Sequence, residues 1–246
     1  MSVIKFDSSN NSITFGNYTL QFTDDGFEFD GAIIATGFEE QSTAQGSVSG
    51  YSSGGDHPTF YNGIDKFPFA VDSNATGVGD LTELRYAVTG QSSSISGYIS
   101  SGTIPPITFT NIIEKFPFAV DTDATDVGDL TQVRERPAGQ SSKEFGYNSG
   151  GQAPPSVNTV DKFSFVVDSN ATDVGDLTQA RRGIAGQSSE TFGYTSGGIV
   201  GAIPTITSTI DKFPFATDSN ATTVGDLSQA RTSVFGQSSA DFGYTS

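Results

Sequence analysis

The stretch that decides the fold lies within residues 158–198. It reads NTVDKFSFVV at 158–167, DSNATDVGDLTQAR at 168–181, GQSS at 186–189 and FGYTSGG at 192–198. The same order of motifs recurs through most of the 246-residue chain, and its Gly-Tyr dipeptide returns at intervals of 47 to 50 residues. This dipeptide begins at Gly50, Gly97, Gly146, Gly193 and Gly243. Tandem repeats of this length are typical of propellers and solenoids.

Each repeat predicts four short strands. GQSS and FGYTSGG form the first two, which end in a glycine turn, and Phe163 and Phe165 share one face of the third at a period of two. The Asp-Ser-Asn triplet is a turn signal, and VGDLT then begins the fourth strand. Four short strands make one propeller blade. We therefore predict an all-β fold, with a β-propeller of four-stranded blades over residues 38–246.

Side-chain size predicts where each strand lies in a blade. Blades converge on a central channel, so the innermost strand has the least room, and the small residues of GQSS fit there. The paired phenylalanines of the third strand would then fill the wedge between neighbouring blades, each contributing about 2 kcal/mol when buried. These residues are Phe67, Phe69, Phe116, Phe118, Phe163, Phe165, Phe213 and Phe215.

The repeat resembles the kelch repeat, whose blade has a glycine pair after its second strand, an aromatic third strand and a fourth strand that leads to arginine. The second copy departs from this pattern with GYISSG, and the tryptophan usual in kelch blades is absent, with Leu177 and its equivalents expected in its place. The resemblance covers about the last four fifths of the chain. The repeated structural positions are Gly54, Gly55, Lys66, Phe67, Phe69, Asp80, Arg85, Gly150, Gly151, Lys162, Phe163, Phe165, Asp176 and Arg181.

The two ends of the chain predict how the ring closes. The C-terminal GQSSADFGYTS supplies only the first two strands of a fifth repeat. The N-terminal region 1–37 lacks the repeat but has two alternating segments, 12–22 and 26–34, separated by a Thr-Asp-Asp-Gly turn. Because an open edge invites aggregation, we expect this pair to complete the half blade and give five blades. The alternative is four blades, with the N-terminal region as an anchor to another protein.

Composition and charge exclude several function classes. Cysteine is absent, so disulfides, thiolate metal sites and thiol nucleophiles are ruled out, and synthesis in a reducing cytosol is expected. No apolar run is long enough to cross a bilayer or to act as a secretory core. The net charge is -16, and only four basic residues lie outside the repeated lysines and arginines. We therefore expect neither nucleic-acid binding nor membrane insertion.

Few residues could support catalysis or hold a metal. His57 is the single histidine and precedes Pro58 in a variable loop, so any Ser-His-Asp triad would depend on it, and a surface position is expected. Glycosidase carboxylates should be singular, whereas Asp80 and Asp176 are copied in every repeat. We interpret them as turn or strand-cap residues that could pair with the repeat arginines. The DSNAT turn lacks the glycine and distal glutamate of a calcium loop. We predict no enzyme activity, no cofactor and no metal.

Function is expected where the copies differ, because positions common to every blade serve the fold. The copies differ most between the glycine turn and Lys-Phe, in segments 56–65, 103–114, 152–161 and 199–211. In an up-and-down blade the connections between second and third strands open on one face of the ring, so we predict a contact surface there. Its candidate residues are His57, Phe60, Tyr61, Pro105, Phe109, Pro155 and Ile203.

The repeat KFPFAVDSNATGVGDLT, together with GQSS and GYTSGG, is similar to repeats of structural proteins of marine bacteriophages, particularly those that infect cyanobacteria. The opening MSVIKFDSSNNSITFGNYTLQF resembles the start of phage fibre and appendage proteins. This resemblance implies a virion structural protein, a tail or head fibre or a capsid-surface protein, made in the host cytoplasm and used for host recognition. The implied partners are other virion proteins and a host-surface glycan or receptor, with the chain as a homo-oligomer. The alternative is an intracellular kelch-type adaptor that binds proteins.

Overall fold

The fold is described from a computed structural model of the chain. The model describes residues 4–7, 12–15, 18–23, 26–29, 32–36, 48–56, 59–201, 205–239 and 241–246. The chain forms two compact units, Met1–Ser42 and Thr43–Ser246. Every regular element of the described residues is a β-strand, which confirms the all-β class. None of these residues belongs to a helix long and apolar enough to cross a membrane.

The N-terminal unit is one antiparallel sheet of five strands in chain order. Its strands are β1 Ile4–Asp7, β2 Ser12–Phe15, β3 Tyr18–Thr23, β4 Gly26–Phe29 and β5 Ala32–Thr36. Phe15 pairs with Tyr18, so the predicted segment 12–22 is a hairpin of two strands, and β1 precedes it. The sequence therefore predicted strands in this region but too few of them.

The second unit is a series of antiparallel sheets, with one main sheet for each of the four repeats. The first sheet has β6 Ser49–Asp56, β7 Phe60–Pro68 and β8 Thr76–Asp80. The second has β9 Thr89–Ser92, β10 Ser96–Ser100, β13 Ile112–Pro117 and β14 Thr125–Asp129, with loop strands β11 Thr103–Ile104 and β12 Thr108–Phe109. The third has β15 Ala138–Ser141, β16 Phe145–Ser149, β17 Thr159–Ser164 and β18 Thr172–Asp176.

The fourth sheet has β20 Ala185–Ser188, β21 Phe192–Ser196, β24 Thr209–Pro214 and β25 Thr222–Asp226. Beside it lies a small sheet of β19 Arg181–Arg182, β22 Ile199–Val200 and β23 Thr205–Ile206. The last two strands, β26 Gly236–Ser238 and β27 Gly243–Thr245, form a separate pair that we call the terminal pair. In the second, third and fourth sheets the four strands are neighbours in chain order, as the repeat pattern predicts.

The GQSS strands of successive repeats lie against one another. The N–H of Ser141 donates to Oγ of Ser188 at 2.9 Å, and the N–H of Ser188 donates to Oγ of Ser238 at 2.9 Å. A Cβ built on Gly186 would overlap the carbonyl oxygen of Gly139. This crowding matches the prediction that the strand with the smallest side chains has the least room.

Aromatic rings fill the space between neighbouring sheets. Tyr98 of the second sheet stacks on Phe165 of the third, with ring centroids 4.7 Å apart, and Phe163 belongs to the same buried cluster. Tyr51 and Tyr147 repeat this contact with the next sheet. The predicted wedge of phenylalanine is therefore present between the first four sheets. Its burial removes each ring from water, the main source of stability in a chain without disulfides.

The first sheet differs from the others in the exposure of its phenylalanines. Phe67 is 40% exposed and Phe69 59% exposed, whereas Phe163 and Phe213 are buried. Each buried ring is covered by the sheet that precedes it in the chain. No described residue covers Phe67 and Phe69 in this way, so the wedge position of this pair stays a prediction.

Buried ion pairs also join neighbouring sheets. Nη2 of Arg134 lies 2.5 Å from Oδ2 of Asp161, and both side chains are fully buried. The same pair occurs as Arg85 with Glu114 and as Arg181 with Asp211. Burial lowers the pKa of Arg134 and raises that of Asp161, because both charged forms are removed from water. Each cation thus has the carboxylate of the next repeat as its partner.

The repeated Asp80 and Asp176 are not the arginine partners, so that part of our interpretation was wrong. They lie at the ends of fourth strands, where the N–H of Asp80 donates to Oδ1 of Asp123 at 3.0 Å and the N–H of Asp176 donates to Oδ1 of Asn220 at 3.0 Å. The DSNAT turn of one repeat therefore caps the fourth strand of the preceding repeat. The arginine instead reaches the acid at the start of the next third strand, which is buried between the sheets.

Two buried tyrosines predict how the protein responds to alkaline pH. Burial raises the pKa of Tyr98 and of Tyr147 to about 12, whereas both would ionise at about 10 in the unfolded chain. Above pH ~10 the folded state then holds more protons than the unfolded state. The free energy of unfolding is therefore unaffected by these residues below that pH and falls as the pH rises towards 12. In a spectroscopic titration of phenolate we expect these two residues to ionise last, together with unfolding. Ionisation of every tyrosine near pH ~10 in the folded protein would contradict their burial.

Candidate functional site

In the third and fourth sheets, the loop between the second and third strands begins at a glycine pair held by arginine. Gly150 and Gly151 have φ of 62° and 109°, in the left-handed region that favours glycine. The carbonyl of Gly150 accepts a hydrogen bond from Nη1 of Arg134 at 3.1 Å. The N–H of Gly151 donates to the carbonyl of Arg181 at 2.9 Å. The buried arginines therefore position the start of the second, third and fourth loops as well as joining the sheets.

Backbone bridges join the second, third and fourth loops to the preceding repeat. Tyr86 and Thr103 exchange hydrogen bonds of 3.1 and 2.8 Å, and Glu135 and Gln152 exchange bonds of 3.0 and 2.8 Å. In the fourth repeat the corresponding contact is the pairing of β19 with β22. Loops with different sequences are thus fixed relative to one another.

The short segments that follow the repeat arginines, which we call connectors, are joined from one repeat to the next by backbone hydrogen bonds. The N–H of Arg136 donates to the carbonyl of Ala87 at 3.0 Å, the N–H of Gly183 donates to that of Arg136 at 3.0 Å, and the N–H of Ser233 donates to that of Gly183 at 2.9 Å. We use the name loop face for the surface made by the loops and these connectors. The described loop residues are 59–61, 101–111, 150–158, 197–201 and 205–208, and the connectors are 86–88, 135–137, 182–184 and 232–235.

The structure places most of the predicted contact residues on the loop face. Phe60 is 36% exposed and Tyr61 48% exposed, and Phe60 stacks on Tyr86 with ring centroids 5.2 Å apart. Pro155 is exposed, whereas Pro105 and Phe109 are half-buried in the β11–β12 hairpin. The other two predicted residues, His57 and Ile203, lie outside the described residues.

The sequence analysis missed several residues of the loop face. Ile107 is 76% exposed at the tip of the second loop, and Ile206 is 48% exposed in β23. Tyr86 and Arg136 belong to connectors, which were not considered because the search was limited to the segments between the glycine turn and Lys-Phe. The available signal was the variation that also follows each repeat arginine, as in Tyr86-Ala87 and Arg182-Gly183.

The loop face has its own charge arrangement. Glu135 is buried and accepts a hydrogen bond from Oγ1 of Thr103 at 2.6 Å. Nε of the half-exposed Arg136 lies 3.8 Å from its other carboxylate oxygen. Nη1 of Arg182 donates to Oγ of Ser156 at 3.0 Å. Two of the four basic residues outside the repeated positions therefore lie on this face of an otherwise acidic protein.

The side chains of this face include groups that are suited to binding. Among the described residues, no group of three or more His, Cys, Asp or Glu side chains is placed to hold a metal ion. The face instead offers exposed aromatic and aliphatic side chains beside hydrogen-bonding groups held by the backbone bridges. Stacking on Tyr61 and the Phe60–Tyr86 pair would suit a sugar ring or an apolar protein side chain.

Comparison with known proteins found a similar fold but no similar sequence. No protein-family model matches the sequence, and no curated protein matches it. Among solved structures the chain is similar to that of YjhT, with a TM-score of 0.66 and 11% sequence identity over 94% of this chain and 82% of the other. At this identity the likeness supports a shared all-β architecture and carries no information on what this chain binds.

Proposed function

We propose that this chain is a structural protein of a bacteriophage particle that recognises a host surface through the loop face. The observation that carries the proposal is the loop face itself. Its segments differ in sequence from repeat to repeat, yet backbone bridges fix them into one surface. Exposed apolar residues, Tyr61, Ile107 and Ile206, come from three different loops. A rigid scaffold that presents variable loops is the usual arrangement of a recognition surface.

The same proposal includes a kelch-like β-propeller as the scaffold. Two features support it: the contact of successive GQSS strands through Gly139 and Gly186, and the aromatic wedge between sheets. Five blades, with the N-terminal strands completing the terminal pair, is the arrangement predicted from the sequence, and four blades with an N-terminal anchor is its alternative. The number of blades stays a prediction that a structure of the assembled protein would decide.

Charge narrows the class of host molecule. With a net charge of -16, the chain as a whole repels polyanions at long range. A neutral polysaccharide or an outer-membrane protein therefore fits the loop face better than a strongly anionic glycan. The remaining parts of the proposal are location on the virion, contact with other virion proteins and assembly as a homo-oligomer, which rest on the resemblance of the repeats to phage structural proteins.

Mass spectrometry of purified particles tests the location. We expect peptides of this chain at a constant ratio to the major capsid protein through successive purification steps. An intracellular adaptor would be depleted with the host proteins, and that result would reject the virion role.

Paired surface substitutions test the recognition face. We expect Tyr61→Ala and Ile107→Ser each to weaken binding to host cells or to an immobilised host polysaccharide by about fivefold or more, since a residue that anchors an interface contributes at least ~1 kcal/mol. The matched control is Val166→Ser, which changes a residue that is 77% exposed in the turn between third and fourth strands, at the other end of the strands. Equal binding by all three variants would place recognition elsewhere.

A further inference from the structure

Each connector begins with a variable residue directly after the repeat arginine. In chain order these residues are Tyr86, Glu135, Arg182 and Thr232. A backbone bridge to the following loop fixes the first three of them. Because the main chain makes this bridge, the side chain at the position can change without loss of the bridge. The position therefore suits a residue that determines what the loop face binds.

The side chains at this position join the first two loops into a continuous row. Tyr86 stacks on Phe60 of the first loop with ring centroids 5.2 Å apart. The backbone of Tyr86 bridges to Thr103 of the second loop, and Oγ1 of Thr103 donates to Oε2 of Glu135 at 2.6 Å. An aromatic pair therefore lies next to a carboxylate, with one threonine between them.

The row continues from the carboxylate to a guanidinium. The backbone of Glu135 bridges to Gln152, and Gln152 bridges to Ser156 within the third loop. Nη1 of Arg182 donates to Oγ of Ser156 at 3.0 Å. No carboxylate of a described residue pairs with Arg182. Three consecutive repeats thus contribute an aromatic platform, a hydrogen-bond acceptor and a hydrogen-bond donor in that order.

Glu135 is a recessed acceptor with one free oxygen. Its side chain is only 10% exposed, and Thr103 occupies Oε2. Oε1 accepts no hydrogen bond from a described residue, and Nε of Arg136 lies 3.8 Å away, beyond hydrogen-bonding distance. A ligand that covers this carboxylate must donate a hydrogen bond to it, because a buried acceptor left unpaired is costly. A sugar hydroxyl meets this requirement, whereas an apolar protein side chain does not.

Arg136 keeps its side chain in a backbone conformation that favours glycine. Its φ is 53°, and the equivalent residue of the next connector is Gly183 with φ 62°. A residue with a Cβ is disfavoured in this region, and such strain is often found at functional sites. The half-exposed guanidinium adds donors beside the free oxygen of Glu135.

We propose that the row of Phe60, Tyr86, Glu135, Arg136 and Arg182 binds a segment of a neutral polysaccharide made of hexose units. The aromatic pair would stack on one sugar ring. Glu135 would accept hydrogen bonds from hydroxyl groups, and the two arginines would donate to hydroxyl and ring oxygens. A carboxylate on the central sugar would be repelled by Glu135, and an anionic chain by the net charge of -16. This inference names the ligand of the loop face and rests on the proposed function.

Competition experiments test the class of ligand. Binding of the labelled full chain to host cells is measured in the presence of three soluble fractions from the same cells. The fractions are neutral polysaccharide, acidic polysaccharide separated by anion exchange, and outer-membrane proteins in detergent. We expect the neutral polysaccharide to compete and the other two fractions not to compete.

Glu135→Gln tests the acceptor, because it removes the charge and nearly preserves the shape. The Kd for the neutral polysaccharide should rise about tenfold, the usual effect of weakening a hydrogen bond to a charged group. The matched control is Glu190→Gln, which removes the same charge from an exposed residue in the turn between the first and second strands of the fourth sheet. Tyr86→Leu should raise the Kd about fivefold, whereas Tyr86→Phe keeps the ring and should not.

Arg136→Gly separates binding from folding. The change relieves the left-handed backbone and removes the guanidinium, so we expect a higher Tm together with a Kd raised about fivefold. A residue with only a structural role would not give a more stable protein that binds less well.

Two sets of results would overturn the inference. One is competition by the protein fraction or the acidic fraction that equals or exceeds that of the neutral polysaccharide. The other is a Kd that is indifferent to both Glu135→Gln and Arg136→Gly. Either result leaves the proposed recognition role standing, because Tyr61→Ala and Ile107→Ser test that role separately on whole cells. Absence of any binding to host cells would reject both proposals.

Discussion

Replacement of Arg134 by alanine is expected to destabilise the protein by about 3–5 kcal/mol, because it leaves the carboxylate of Asp161 buried without its partner. Both side chains are fully buried, and burial already raises the pKa of Asp161, so its charge is poorly solvated once the cation is gone. The carbonyl of Gly150 loses the donor Nη1 as well. The free energy of unfolding from urea denaturation, followed by circular dichroism, measures the effect.

Two control variants distinguish the cost of leaving one buried charge unpaired from the cost of losing an ion pair. Lys115→Ala breaks an exposed pair with Asp168 between the same two sheets and should cost only about 0–1 kcal/mol. The double variant Arg134→Met with Asp161→Leu removes both buried charges and should be less destabilising than Arg134→Ala alone. A double variant that is at least as unstable as Arg134→Ala would contradict this explanation.

Gly186→Val is expected to cost about 3 kcal/mol or more, the upper range for overfilling a packed site. Its Cβ would overlap the backbone carbonyl of Gly139 in the neighbouring sheet. A backbone oxygen held in a strand cannot turn away as a flexible side chain can, so the two sheets would have to separate. The midpoint of thermal unfolding should fall, and Gly186→Ala should show a smaller loss in the same direction.

Gly90 provides the matched control for the first-strand glycines. It occupies the equivalent position in the second sheet, but no described atom lies closer than 3.9 Å to a Cβ built there. Gly90→Ala should therefore change stability by less than about 1 kcal/mol, since only the strand preference of alanine over glycine is altered. Equal losses for Gly90→Ala and Gly186→Ala would show that contact between first strands is not the cause.

The repeat itself made much of the fold predictable. The period of about 48 residues, the small GQSS strand and the alternation of Phe163 and Phe165 are local properties, and each follows from a length or a side-chain volume. The partner of the repeat arginine was missed because it lies in the next repeat and either Asp or Glu occupies its position, as Asp161 and Glu114 show. The signal was available: a period of two places Asp161 on the same face as Phe163 and Phe165.

The candidate site was predicted only in outline. Variation between copies directed attention to the loops of Tyr61 and Pro155, but the candidates chosen within the loops, which included aromatic residues, prolines and Ile203, did not include the exposed Ile107. The connectors were missed because their role depends on hydrogen bonds between repeats, such as that from Arg136 to Ala87. Such a contact cannot be predicted from one repeat alone, since its two partners are about one full repeat apart in the chain.

The shared set of contacts between sheets has an evolutionary consequence. Each junction between the four main sheets uses the same contacts, an arginine–carboxylate pair and stacked aromatic rings. Whole repeats are therefore interchangeable units. Duplication or recombination in frame with the Gly-Tyr dipeptide would preserve both neighbouring junctions and replace a single sector of the exposed surface. A lineage of such chains can thus change its loops one repeat at a time without redesigning its scaffold.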